Sequence, residues 1–344
     1  MAHGGRRGRL AFIGSFTAAG GPGIVTAAVA EGSGALTLLS SLDGVPDPSY
    51  LALASDGGTL YAVSETAEGA VAAYRVDGDR PVPAGPPVPI DGNAPTHLGV
   101  HAGHVLTANY GSGSVTAVPL RPDGTLTHAP SGVFRHTGSG PHTPRQQGPH
   151  VHQVQPDPSG RWAVSVDLGT DSVRVCTLTD GGLVLHRETA LRPGSGPRHL
   201  AFHPDGSHAY VVNELTPTVT VCRWDAADGT LEPLAETPAL PGNPDGHAYP
   251  SGIVASPDGR FVWTAIRGED VLSTFAVEGE TLRLLGTVPC GGHWPRALTE
   301  ADGFLYVANE RSGDVAWFAV DPATGLPRFE GAVEVTAASC VVIG

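Results

Sequence analysis

The chain has 344 residues and a formal net charge of −14, a balance that argues against a nucleic-acid partner, whose phosphates need a basic patch. Its 47 Gly and 31 Pro are scattered between short apolar runs, so they punctuate turns, and no run is long enough to span a bilayer. Helical periodicity is missing and the pattern reads as all-β.

At the N-terminus, Arg6 and Arg7 precede an apolar stretch that superficially resembles a twin-arginine export signal. Ser15 and Thr17 interrupt the stretch, and it matches an internal repeat, so it is expected to belong to the mature fold of a soluble cytoplasmic protein. That repeat is a short apolar strand ending in a polar pair. It runs FIGSF from Phe12, YAVSE from Tyr61, LTANY from Leu106, VSVDL from Val164, YVVNE from Tyr210, WTAIR from Trp263 and YVANE from Tyr306. The start-to-start spacings of 49, 45, 58, 46, 53 and 43 residues give seven copies of a propeller-blade period. Cys176, Cys222, Cys290 and Cys340 lack metal-type spacing, and the first two share one repeat position, so they read as reduced core residues.

Upstream of every copy but the first lies a second strand, joined to the repeat by turn pairs such as Asp56-Gly57, Asp205-Gly206 and Asp302-Gly303. The later pairs Asp123-Gly124 and Asp228-Gly229 sit between a third and a fourth strand, which makes each repeat a four-stranded antiparallel blade. The first copy lacks its upstream strand, and the C-terminal AASCVVIG has the pattern of that strand with no partner after it. The expectation is one domain over residues 1–344, a seven-bladed β-propeller closed by N- and C-terminal strands sharing one blade. A solenoid or a pair of sandwiches leaves the complementary ends unexplained.

In an antiparallel pair, the start of the first strand lies beside the end of the second, so two variable polar columns share one rim. The first reads Ser49, Thr96, His152, Arg198, Ser251 and Arg296. The second reads Glu65, Asn109, Asp167, Glu214, Arg267 and Glu310, allowing one residue of slip. Buried charge is costly and a purely structural channel has no need of Arg, His and Glu there, which makes the rim the candidate site. Polar networks tying neighbouring blades are the structural alternative.

The segments RQQGPHVHQVQPDPSGRWAVSVDLGTDSV, GPRHLAFHPDGSHAYVVNEL, FVWTAIRGEDVLSTFAV and WPRALTEADGFLYVANERSGDVAWFAVD resemble the seven-bladed lactonase propellers. That family includes bacterial 6-phosphogluconolactonases and fungal 3-carboxy-cis,cis-muconate lactonizing enzymes. The resemblance implies hydrolysis of a small anionic sugar lactone, with His152, Arg198, Glu214 and Arg267 as catalytic residues. A lactonizing cycloisomerase and a non-catalytic binding scaffold are the alternatives. His152 is expected to act as base, directly or through water, and Glu214 as its orienting or alternative proton-transfer partner, with Arg198 and Arg267 holding a phosphate or carboxylate. Two cations nearby should keep His152 neutral and Glu214 ionised. Arg145, Gln146 and His150, from a long loop over the mouth, join Asn109, Arg296 and Glu310 as expected substrate contacts. Among the histidines His136, His142, His150 and His152, only the last two have useful metal spacing, so neither a metal nor a cofactor is expected.

Overall fold

Blades that stack face to face bury both sides of their middle strands, which therefore read as continuous apolar runs such as the HAYVVN of His208–Asn213. In the computed structural model, which describes residues 8–242 and 247–344, such strands build seven antiparallel sheets in a ring. Arg6 and Arg7 lie outside the described residues. Six sheets have four strands. In blade 2 the expected fourth strand is replaced by two short pieces, Val82–Pro83 and Val88–Pro89, both paired with Ala70–Arg75. The prolines of this segment remove ladder donors, which limits the edge strand.

Blade 1 is closed as the complementary ends require. Ala338–Ile343 is its innermost strand and pairs antiparallel with Leu10–Ser15, from Ala11 opposite Ile343 to Ser15 opposite Ala338. The remaining innermost strands are Leu51–Leu53, Pro95–His101, Val151–Pro156, Pro197–Phe202, Tyr249–Ala255 and Pro295–Ala301, belonging to blades 2 to 7. Asp302 and Gly303, at φ 51° and 80°, form the expected tight turn of the last blade.

Among the described residues the core consists of seven apolar clusters, and each fills the seam between two neighbouring blades. Ile13, Val25 and Val341 of blade 1, for example, pack against Tyr306, Val315 and Trp317 of blade 7. Polar tips of buried aromatics add hydrogen bonds across the seams: Tyr61 Oη to Gly124 O, Trp162 Nε1 to Ala226 O, Trp263 Nε1 to Gly325 O and Tyr306 Oη to Gly34 O. All four cysteines are buried free thiols.

Candidate active site

Each innermost strand except that of blade 2 shows a register break where it reaches the rim. In blade 4, Val151 faces Asp167 while Gln153 faces Val166, so His152 is the extra residue of a β-bulge. Arg198 and Arg296 are extra in the same way, as are Thr96 and Ser339. A bulge leaves its residue out of the ladder and re-aims its side chain, which is how the first column comes to face the axis.

The column divides by chemistry. Thr96, Ser251 and Ser339 donate their hydroxyls to His152 O, Pro295 O and Ser49 O of the next inner strand, and so stitch blades together. His152, Arg198 and Arg296 have no such task.

The second column proves to be shifted by one residue in two blades. The amides of Glu65, Tyr110, Leu168, Glu214 and Glu310 donate to Asp47, Ala94, His150, Gly196 and Trp294 carbonyls, which marks them as equivalent mouth residues. Tyr110 therefore occupies the place expected for Asn109. Asn109 is fully buried, and its amide is satisfied by Thr107, Ser114 and Thr116 within its own blade. Asp167 likewise serves the fold, accepting from the amides of His150, Gly169 and Thr170 and pairing with His136 at 2.7 Å. Gln146 is also corrected to a structural role. Its Nε2 donates to Leu168 O and Asp171, and its Oε1 accepts from His142 N, which fixes the loop and leaves little for a substrate.

Glu214 is the hub of the mouth. Arg145 reaches from the loop to its Oε1 at 2.7 Å, while Arg267 at 2.7 Å and Arg198 at 3.2 Å approach Oε2. Burial alone would raise the pKa of Glu214, but Arg267, Arg198 and Arg145 outweigh it and hold the carboxylate at about 2. The structure does not pair Glu214 with His152 as expected, because the three guanidiniums take up its oxygens. A second cluster joins Arg296 to Glu310 at 3.2 Å and Glu65 at 3.3 Å, with its guanidinium over the Phe16 ring at 4.7 Å.

His152 is 6% exposed, sits edge-on to Tyr110 and His199, and makes no hydrogen bond through Nδ1. Burial, reinforced by Arg198, Arg296 and Arg267, holds its pKa well below the usual histidine value, so the ring is neutral near pH 7. His150 stacks on Tyr110 at 4.5 Å and bonds to its carbonyl. Arg198 is 2% exposed, yet its Nε and Nη1 make no hydrogen bond. Burial and then Arg267 press on its charge while Glu214 supports it, and a guanidinium starts far enough above neutrality to remain protonated.

A cavity of about 940 Å³ lies at the other end of the channel among the inner-strand turns, beyond Tyr50, His97 and His199. Among the described residues no group of His, Cys, Asp and Glu is placed to hold a metal ion.

The lactonase seven-bladed β-propeller profile matches residues 10–343. The chain belongs to this lactonase family. A similar relative is the 6-phosphogluconolactonase of Bacillus subtilis, 34% identical over 329 residues that cover 92% of each chain. The periplasmic gluconolactonase PpgL of Pseudomonas aeruginosa superposes with a TM-score of 0.91 at 29% identity, covering 97% of this chain and 98% of that one. A Lactobacillus plantarum protein gives the same TM-score at 28% identity, over 97% and 99% of the two chains. In this lactonase-family protein the bulged His152 and Arg198, with Glu214 and Arg267, thus stand at one rim of a lactonase fold.

Proposed function

We propose that the protein hydrolyses a small sugar lactone carrying a distal anionic group, the reaction class named for its 6-phosphogluconolactonase relative. The observation that carries this reading is the buried Arg198, whose Nη1 makes no hydrogen bond and shares the channel mouth with a neutral imidazole. Hydrolysis requires a base for the attacking water and donors for the oxyanion that forms at the ring carbonyl. His152 takes the proton from water, which adds to the carbonyl carbon. Nη1 of Arg198 receives the developing oxyanion, while its Nε faces Glu214. When the intermediate collapses, the ring C–O bond breaks and the imidazolium returns the proton to the departing alkoxide.

Glu214 is already ionised and enclosed by three guanidiniums, so its part is to fix the arginines and not to shuttle protons. Arg267 and Arg145 then bind the substrate's polar edge, with His150 and Arg296 bordering the same mouth.

A panel of lactones assayed for acid release, with and without a chelator, tests the reading. The expected result is hydrolysis of at least one phosphorylated or carboxylated lactone above the spontaneous rate, undiminished by chelation. His152→Ala should lower kcat much more than it alters binding of a non-reactive analogue. A panel with no accelerated member, or activity abolished by chelation and restored by one divalent ion, would overturn it.

A further inference from the structure

The mouth has a cation that the ion-pair hub leaves over. Arg145, Arg198 and Arg267 share Glu214, and Arg296 lies between Glu65 and Glu310. The exposed Arg311 has no carboxylate at ion-pair distance and no side-chain hydrogen bond among the described residues. Its guanidinium lies 3.4 Å from the centroid of the Trp294 ring, and Arg267 lies 5.6 Å from the same centroid. The two guanidiniums are therefore no further apart than the sum of those distances, a separation that a phosphorylated sugar lactone can bridge.

Trp294 is itself unusual. Its backbone φ is +66°, a left-handed conformation that is strained for a bulky residue. The same position, whose carbonyl receives the second-column amide, is also left-handed in four other blades. There it is filled by Ala337, Asp47, Ala94 and Gly196, none of which carries a large side chain. Trp294 is anchored by a bond from its own amide to Asp270 Oδ1 at 2.8 Å and by one from Glu310 N to its carbonyl at 3.1 Å. A rim depression of about 340 Å³, lined by Arg311, Ser312, Ala19 and Thr336 and also by Glu310 and Glu334, adjoins Arg311.

We infer that Arg311, seated on the Trp294 ring, receives the distal anionic group of the substrate and selects for lactones that carry one. This rests on the lactone-hydrolysis reading and adds to it the source of substrate choice. An incoming phosphate can engage Arg311 without breaking an ion pair, whereas binding it to Arg145 or Arg267 competes with Glu214. Stacking on the indole limits the guanidinium's freedom and presents its donors as a fork. Trp294 acts through Arg311 and is a positioning residue.

The test compares 6-phosphoglucono-1,5-lactone with glucono-1,5-lactone in the wild type, Arg311→Ala and Trp294→Gly. The ratio of kcat/KM for the phosphorylated to the unphosphorylated lactone should fall about tenfold in Arg311→Ala, mainly through KM, as expected for loss of one charge-assisted contact at an exposed site. Trp294→Gly, which accepts the left-handed backbone, should lower the same ratio, and Trp294→Phe should restore part of it. Because the contact is exposed, the wild-type ratio should also decline with added salt. Calorimetry with glucose 6-phosphate against glucose separates this inference from the hydrolytic one. An Arg311-dependent preference for the phosphate supports the anchor even if neither lactone is hydrolysed. Hydrolysis with the same substrate ratio in all variants overturns the anchor alone.

Discussion

Glu214→Gln removes one charge from the mouth while nearly preserving shape. Because three guanidiniums hold Glu214 at about 2 against an ordinary 4.5, its ionisation contributes about 3 kcal/mol to stability near neutral pH. A depressed carboxyl pKa places that contribution above the unfolded-state value. It should be complete above about pH 4.5 and lost as the pH falls toward about 2. The variant also leaves Arg198 and Arg267, both under 10% exposed in their side chains, without their shared counter-charge, so the penalty is not erased by solvent. Urea unfolding of both proteins at several pH values measures the difference directly, since carboxylates common to the two cancel. The expected gap is about 3 kcal/mol near pH 7, narrowing steadily below about pH 4.5. A gap that stays constant into acid, or none at neutral pH, would refute the idea that the guanidiniums stabilise the Glu214 charge.

Two further outcomes follow from geometry already described. Deleting the last eight residues removes the inner strand Ala338–Ile343 and bares the edge of Leu10–Ser15, so the truncated chain should lose cooperative unfolding or aggregate; unchanged melting temperature and solubility would rule out the closing role of that strand. The lowered pKa of His152 keeps its unprotonated form populated in mild acid, so the acid limb of the kcat profile should lie well below pH 6.5, and a limb centred near 6.5 would exclude His152 as the titrating base.

The ring and its closure were legible because turn pairs and apolar strands recur at blade spacing and the ends are complementary. The first polar column was legible for the same reason, and the structure brings His152, Arg198 and Arg296 to one rim as bulge residues. The second column slipped in blades 3 and 4 because the residues level with the rim there are Tyr110 and Leu168, and the polar residues just before them, Asn109 and Asp167, are buried within their blades. Alignment of NYGSGSV, DLGTDSV, NELTPTV and NERSGDV would have found the offset, placing Tyr110 and Leu168 level with Glu214 and Glu310. Gln146 was misjudged because a loop's internal hydrogen bonds depend on its folded path, which no short-range pattern encodes. Trp294 and Arg311 lay inside a quoted segment, but their stacking depends on a left-handed backbone that a tryptophan does not advertise.

The shared first blade also sets an order for biosynthesis. Blades 2 to 7 are each contiguous in sequence, so each can form soon after it leaves the ribosome. Leu10–Ser15 emerges long before Ala338–Ile343 and must wait for that strand before its inner edge is covered. Contacts such as Ser339 Oγ to Ser49 O, separated by 290 residues, cannot form until the strand Ala338–Ile343 has emerged. Long-range pairing of this kind is slow, and an uncovered strand edge invites other chains during the delay. Yield in a cell should therefore respond to translation rate and chaperone supply more sharply than the stability of the finished ring suggests.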